Sequence, residues 1–168
     1  MTINNVTCTD SVWGEVFIMG LLKNKSITSL TVTVSDYIYL SCKFWVHSLK
    51  ECLAKNNSLT TLTLTVNYYS EAEVHGDWSH LLRREMFPEN SSLTELNLTV
   101  NIRREVSEDW LPFLCDYLMT NCSSLKTVRL QVNNRCTSSE SRLYDLSKLQ
   151  LKYRSLSTFE LSVTFYGE

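Results

Sequence analysis

Leucine or valine alternates with threonine over short stretches of the chain, and those stretches return at near-constant spacing. Five of them share one pattern: SITSLTVTVS from Ser26, SLTTLTLTVN from Ser58, SLTELNLTVN from Ser92, SLKTVRLQVN from Ser124 and SLSTFELSVT from Ser155. Their first apolar residues are Ile27, Leu59, Leu93, Leu125 and Leu156, at intervals of 32, 34, 32 and 31 residues. Self-similarity at such a period marks a repeat architecture. In the second copy the apolar positions are Leu59, Leu62, Leu64 and Val66, with Thr61, Thr63 and Thr65 interleaved. That period of two predicts a half-buried strand, and threonine and valine suit a pleated surface. The predicted strands fall near residues 27–35, 59–67, 93–101, 125–133 and 156–164. Asn67, Asn101 and Asn133 follow at one fixed offset, with Ser35 and Thr164 in the first and fifth copies. A carboxamide both donates and accepts, so it can satisfy backbone groups where the chain leaves the strand.

Between strands the period changes. Trp45, Leu49, Cys52 and Leu53 fall at i, i+4, i+7 and i+8, and Trp110, Phe113, Leu114, Tyr117 and Leu118 follow the same rule. So do Trp78, Leu81, Leu82 and Met86, and Trp13, Phe17 and Leu21. This is the apolar stripe of an amphipathic helix. All four tryptophans stand 14 or 15 residues before the next strand's first apolar residue, while the fifth unit carries Arg142 and Leu143 near that place. Ser107 or Asp109 can cap the fourth helix, and Pro112 lies in its first turn, where a missing N–H is harmless. A strand, a returning helix and a parallel next strand predict an α/β fold: a right-handed βα solenoid of about five repeats of ~32 residues, as one domain over 1–168. A single unit buries only about six apolar side chains, at roughly 1.5–3 kcal/mol each. Ordering its backbone costs roughly 1–2 kcal/mol per residue, so neighbours must share a core.

The L-x-x-L-x-L-x-x-N core with a long helical return resembles the ribonuclease-inhibitor-like subfamily of leucine-rich repeats, over essentially the whole chain from Met1 to Val163. Threonine-rich copies joined by tryptophan-bearing helices are similar to the repeat arrays of NOD-like receptors. The resemblance implies a horseshoe with a parallel sheet inside and helices outside. It also implies a protein–protein recognition module, the sensing or autoinhibitory array of a cytoplasmic innate-immune receptor, with no enzymatic activity. Such receptors carry a nucleotide-binding module upstream, and no Walker loop occurs in this chain. Ile3-Asn4 matches the Val66-Asn67 position, so the chain is expected to begin inside a strand, and it stops directly after the fifth. A fragment of a longer array is the expectation. The alternatives are a freestanding inhibitor or scaffold of the ribonuclease-inhibitor kind and a secreted recognition protein.

Composition narrows the chemistry. A net charge of −2 without long like-charge runs lacks the basic footprint of nucleic-acid binding. No apolar run approaches the ~18–20 residues that span a membrane, and MTINNVTCTDSVWGE lacks the basic start and apolar stretch of a signal peptide. Cys8, Cys42, Cys52, Cys115, Cys122 and Cys136 contain no C-x-x-C pair, which argues against zinc and leaves reduced, mostly buried thiols as the preferred reading over disulfides. Gly14, Gly20, Gly76 and Gly167 cannot form a phosphate-cradling loop. No cofactor is expected. His47, His75 and His80 match no catalytic spacing, although His75 and His80 lie near Glu71, Glu73 and Asp77. Six Asn-x-Ser/Thr triplets occur, at Asn5, Asn24, Asn56, Asn90, Asn97 and Asn121. Asn24, Asn56, Asn90 and Asn121 read as one recurring turn, so repetition explains the number without glycosylation.

Candidate binding residues fall in two groups. The polar strand positions make three rows across the expected concave face: Ser29, Thr61, Glu95, Thr127, Thr158; Thr31, Thr63, Asn97, Arg129, Glu160; and Thr33, Thr65, Thr99, Gln131, Ser162. Glu95, Asn97, Arg129, Gln131 and Glu160 are the partner-binding candidates there. Against this, threonine simply suits a strand, and Arg129 between two acids can be a cross-strand pair. The second group is the loop rim after the strands: Tyr37, Tyr39, Tyr68, Tyr69, Arg103 and Arg104, with Tyr166 at the corresponding place. Tyrosine and arginine are enriched at interaction hot spots, but each ring could equally cover the core edge.

Overall fold

The computed structural model describes residues 2–7, 19–36, 49–68, 92–102, 118, 122–134 and 156–165. Six strands run through these segments: β1 (Thr2–Thr7), β2 (Ser29–Asp36), β3 (Thr61–Tyr68), β4 (Glu95–Ile102), β5 (Thr127–Asn134) and β6 (Thr158–Phe165). They form a single sheet in the order β1-β2-β3-β4-β5-β6, every neighbour parallel. Residues 19–23, 49–55 and 118 are helical. Parallel neighbours need a crossover between them, and the helical residues lie in those crossovers. The chain is therefore an α/β protein built on an all-parallel sheet.

The register is the repeat in three dimensions. Leu30, Leu62, Leu96, Val128 and Phe159 are partners in one row, and Val32, Leu64, Leu98, Leu130 and Leu161 in the next. A third row is Val34, Val66, Val100, Val132 and Val163. These side chains form one apolar cluster with Leu21, Leu49, Cys52, Leu53 and Leu118 from the crossovers. In β4 burial alternates strictly, each half-exposed residue followed by a buried one. Parallel sheets are usually covered on both faces; this one is covered on its leucine face and leaves its polar face accessible.

The strands start two residues later than the leucine pattern predicts. Leu59 and Leu93 are 2% and 1% exposed yet precede the ladder, because the chain is still turning there. Asn56 shows why. Its carboxamide oxygen accepts from Ser58 N and Leu59 N, each at 2.9 Å. Its Nδ2 donates to the carbonyls of Leu21 at 2.9 Å and Asn24 at 3.2 Å, one crossover earlier. Asn24 closes its own turn in the same way, accepting from Ser26 N, Ser26 Oγ and Ile27 N. The serine before each leucine then reaches back: Ser58 Oγ donates to Ile27 O, Ser92 Oγ to Leu59 O and Ser124 Oγ to Leu93 O. Single carbonyls accept two backbone N–H groups at the entries to β3 through β6, as Thr28 O does from Thr60 and Thr61, and Thr60 O from Thr94 and Glu95. The same residues thus close the local turn and join it to the repeat before.

Three expectations need correction. Ile3 pairs with Val32, and after a register shift Val6 and Thr7 pair with Val34 and Ser35. Val6-Thr7, not Ile3-Asn4, therefore matches Val66-Asn67, and β1 is a sixth strand of the sheet. The bulge between Ile3 and Val6 displaces the count. At the fourth turn, Asn121 is not the equivalent of Asn56. Cys122 N donates to Leu118 O as Asn56 N does to Cys52 O, and Cys122 stands three residues before Leu125 as Asn56 does before Leu59. Finally, among the described residues Asn67, Asn101 and Asn133 bond to side chains rather than to the backbone. Asn67 Nδ2 donates to Ser35 Oγ at 3.1 Å, Asn101 Nδ2 to Asn67 Oδ1 at 2.6 Å and Asn133 Nδ2 to Asn101 Oδ1 at 2.6 Å. Exact register puts the amides one strand spacing apart, about 4.8 Å, so each meets the next before it can meet the backbone.

The two faces should respond differently to truncation. Leu64→Ala removes a fully buried side chain from the shared core and should lower unfolding free energy by about 2–5 kcal/mol. Thr65→Ala, on the polar face next door, should stay within about 0.5 kcal/mol. Urea unfolding of the two variants and the parent measures both.

Candidate functional site

The fifteen polar-face positions lie as the repeat predicts. Ser29, Thr61, Glu95, Thr127 and Thr158 are register partners, as are Thr31, Thr63, Asn97, Arg129 and Glu160, and Thr33, Thr65, Thr99, Gln131 and Ser162. Adjacent strands are about 4.8 Å apart and alternate residues about 6.6 Å apart along a strand. The face is therefore a regular grid dominated by hydroxyl groups.

One cluster interrupts the grid. Arg129 Nη1 donates to Glu95 Oε1 at 2.6 Å, and its Nε donates to Glu160 Oε2 at 3.0 Å. Nη1 also reaches Asn97 Oδ1 at 3.3 Å, while Asn97 Nδ2 donates to Glu95 Oε1 and Thr63 Oγ1, both at 3.3 Å. Glu160 sits beside Arg129 in register and Glu95 lies diagonally across β4. A planar guanidinium can serve two carboxylates at once, which an ammonium on a flexible stem does less well. The side chains of Arg129, Glu95 and Glu160 are 43%, 35% and 60% exposed, so water screens the ion pairs. Two carboxylates against one guanidinium leave this polar face with a net charge of −1.

Of the sequence candidates, Glu95, Asn97, Arg129 and Glu160 are brought together. Gln131 stays apart, exposed, its Nε2 donating to Asn133 Oδ1 at 3.4 Å. Thr63, not singled out in the sequence, joins the cluster through Asn97. On the rim, Tyr68 ends β3, opposite Asp36 and Ile102. Tyr37, Tyr39, Tyr69, Tyr166, Arg103 and Arg104 lie outside the described residues, as do His47, His75 and His80. Among the described residues, no group of three or more His, Cys, Asp or Glu side chains is placed to hold a metal. No helix among them is long and apolar enough to cross a membrane.

Cys52 and Cys122 are thiols outside any disulfide and are buried in the apolar cluster. Burial disfavours the thiolate and raises each thiol from its ordinary value to about 11. Neither is poised as a nucleophile, since the thiolate is the reactive form.

Compared with family models, curated proteins and solved structures, the chain matches none.

Exposure limits the worth of the ion pairs. A double-mutant cycle on Glu95→Gln and Arg129→Met should give a coupling of at most about 1 kcal/mol that shrinks as salt rises. A larger, salt-insensitive coupling would mean that the cluster is desolvated.

Proposed function

We propose that the chain is a leucine-rich-repeat array that recognises another protein with the polar face of its parallel sheet, and that it acts by binding and not by catalysis. The observation that carries this reading is the one-to-one register of β2 through β6 at offsets of about one repeat, with a polar face left accessible. A right-handed solenoid of the ribonuclease-inhibitor kind, curved so that this face is concave, is the architecture such a repeat builds. Its rigid grid suits an extended partner surface better than a small molecule, which needs a concave, mostly apolar pocket. The hydroxyl groups supply hydrogen bonds, and the Glu95–Arg129–Glu160 cluster supplies the charge that orients a partner.

Within this reading the array resembles the sensing or autoinhibitory region of a NOD-like receptor and works in the cytoplasm. Two core thiols kept protonated by burial accord with a reducing compartment. The freestanding inhibitor of a basic ribonuclease fits less well, because a face of mostly neutral hydroxyls offers little to a strongly cationic partner.

Photo-crosslinking tests the reading. A benzoylphenylalanine at Thr63 or Gln131, on the polar face, should capture one saturable partner. Arg129→Glu should abolish the capture and Lys50→Glu, on the helical side, should leave it intact. Capture that is equal from a probe at Lys50, or indifferent to Arg129→Glu, would place binding elsewhere.

A further inference from the structure

Among the described residues, two turn asparagines stand in the acceptor triplet for N-linked glycans, and their surroundings differ. Asn24-Lys25-Ser26 and Asn56-Asn57-Ser58 are the same turn one repeat apart. Their carboxamide oxygens do the same work, closing the turn on the following serine and leucine or isoleucine. Their amide nitrogens do not. Asn56 Nδ2 has both hydrogens engaged, on Leu21 O at 2.9 Å and Asn24 O at 3.2 Å, in a residue only 3% exposed. Asn24 is half-exposed, and among the described residues no acceptor takes its amide hydrogens.

We propose that at Asn56 glycosylation and folding exclude one another, whereas Asn24 accommodates a glycan in the folded chain. Transfer forms a bond from Nδ2 to C1 of the first sugar, releases the lipid diphosphate that carried the oligosaccharide, and removes one amide proton. A single N–H remains where two carbonyls are now served. A sugar ring must also occupy the space of a carbonyl oxygen about 3 Å away, inside a closed turn that joins two repeats. The transfer acts on a chain that has not yet folded, so a modified Asn56 cannot later enter this turn. The chain consequently reaches its native structure only where Asn56 escapes modification. This inference depends on the turn alone and goes beyond the recognition reading: it states what the turn permits when the chain is presented to the transferase, and it stands or falls whether or not the polar face binds a protein and whichever compartment the chain works in.

The test directs the full chain into the endoplasmic reticulum of cultured cells with a cleavable signal sequence. The product is separated by limited proteolysis into resistant and sensitive fractions, and glycopeptides are mapped by mass spectrometry. Asn24 glycan should occur in the resistant fraction, and Asn56 glycan should be confined to the sensitive one. Ser58→Ala removes the acceptor triplet while keeping Asn56, and should raise the resistant fraction severalfold. Because Ser58 also bonds Ile27 O, the same variant is made in the cytosol to show that it folds, and tunicamycin treatment of the unsubstituted chain should reproduce the gain. Asn56 glycan at the occupancy of Asn24 in resistant molecules would overturn the proposal. So would a resistant fraction that neither Ser58→Ala nor tunicamycin increases.

Discussion

Each strand of this sheet finds the partners for its buried side chains in the strands before and after it, and at the entry to β3 the turn asparagine Asn56 ties one repeat to the one before. Asn56 holds Ser58 and Leu59 with its oxygen while its nitrogen grips the carbonyls of Leu21 and Asn24. One side chain therefore sets both the shape of its turn and the offset from the turn before. A shift of one residue would turn the leucines toward water and the threonines toward the core. The serine hydroxyls that reach back one repeat and the column of Asn67, Asn101 and Asn133 repeat that restraint at the two ends of the strands.

The polar face follows from the same restraint. Because strands pair in exact register, side chains one repeat apart become neighbours, and Arg129 meets Glu95 and Glu160 from 34 and 31 residues away. The face has little chemistry of its own: small hydroxyls, one cross-strand ion cluster and a net charge of −1. Such a surface is a rigid support whose composition can change without touching the core, since every strand alternates between the two. That separation of folding residues from surface residues is the physical basis for reading the protein as a recognition array.

The sheet was legible because its signal is redundant. Alternation, spacing and the recurrent Ser-Leu start each point to the same strands, and the three polar rows could be written out from residue numbers. What was harder to read had a physical cause in each case. The leading leucines look like strand residues because they are buried, yet the turn that buries them keeps them out of the ladder. The bulge in β1 shifts its register within six residues, which no alternation pattern reveals in so short a strand. Cys122 takes the turn asparagine's place, buried and with its amide on Leu118 O, while the adjacent Asn121 draws attention by its residue type. Arg129 between two acids reads from the sequence as a cross-strand pair, but its extension through Asn97 to Thr63 depends on rotamers. The column of amides had a signal, the constant offset of Asn67, Asn101 and Asn133, but not its direction toward one another.

Nuclear Overhauser contacts in a uniformly labelled sample test the central claim most directly. Parallel pairing in chain order predicts Hα-to-amide contacts linking β2 to β3, β3 to β4, β4 to β5 and β5 to β6, with Val34, Val66, Val100, Val132 and Val163 methyls in successive contact. Short Hα–Hα contacts of antiparallel pairing, or Val66 methyls in contact with Val132 and not with Val100, would contradict it.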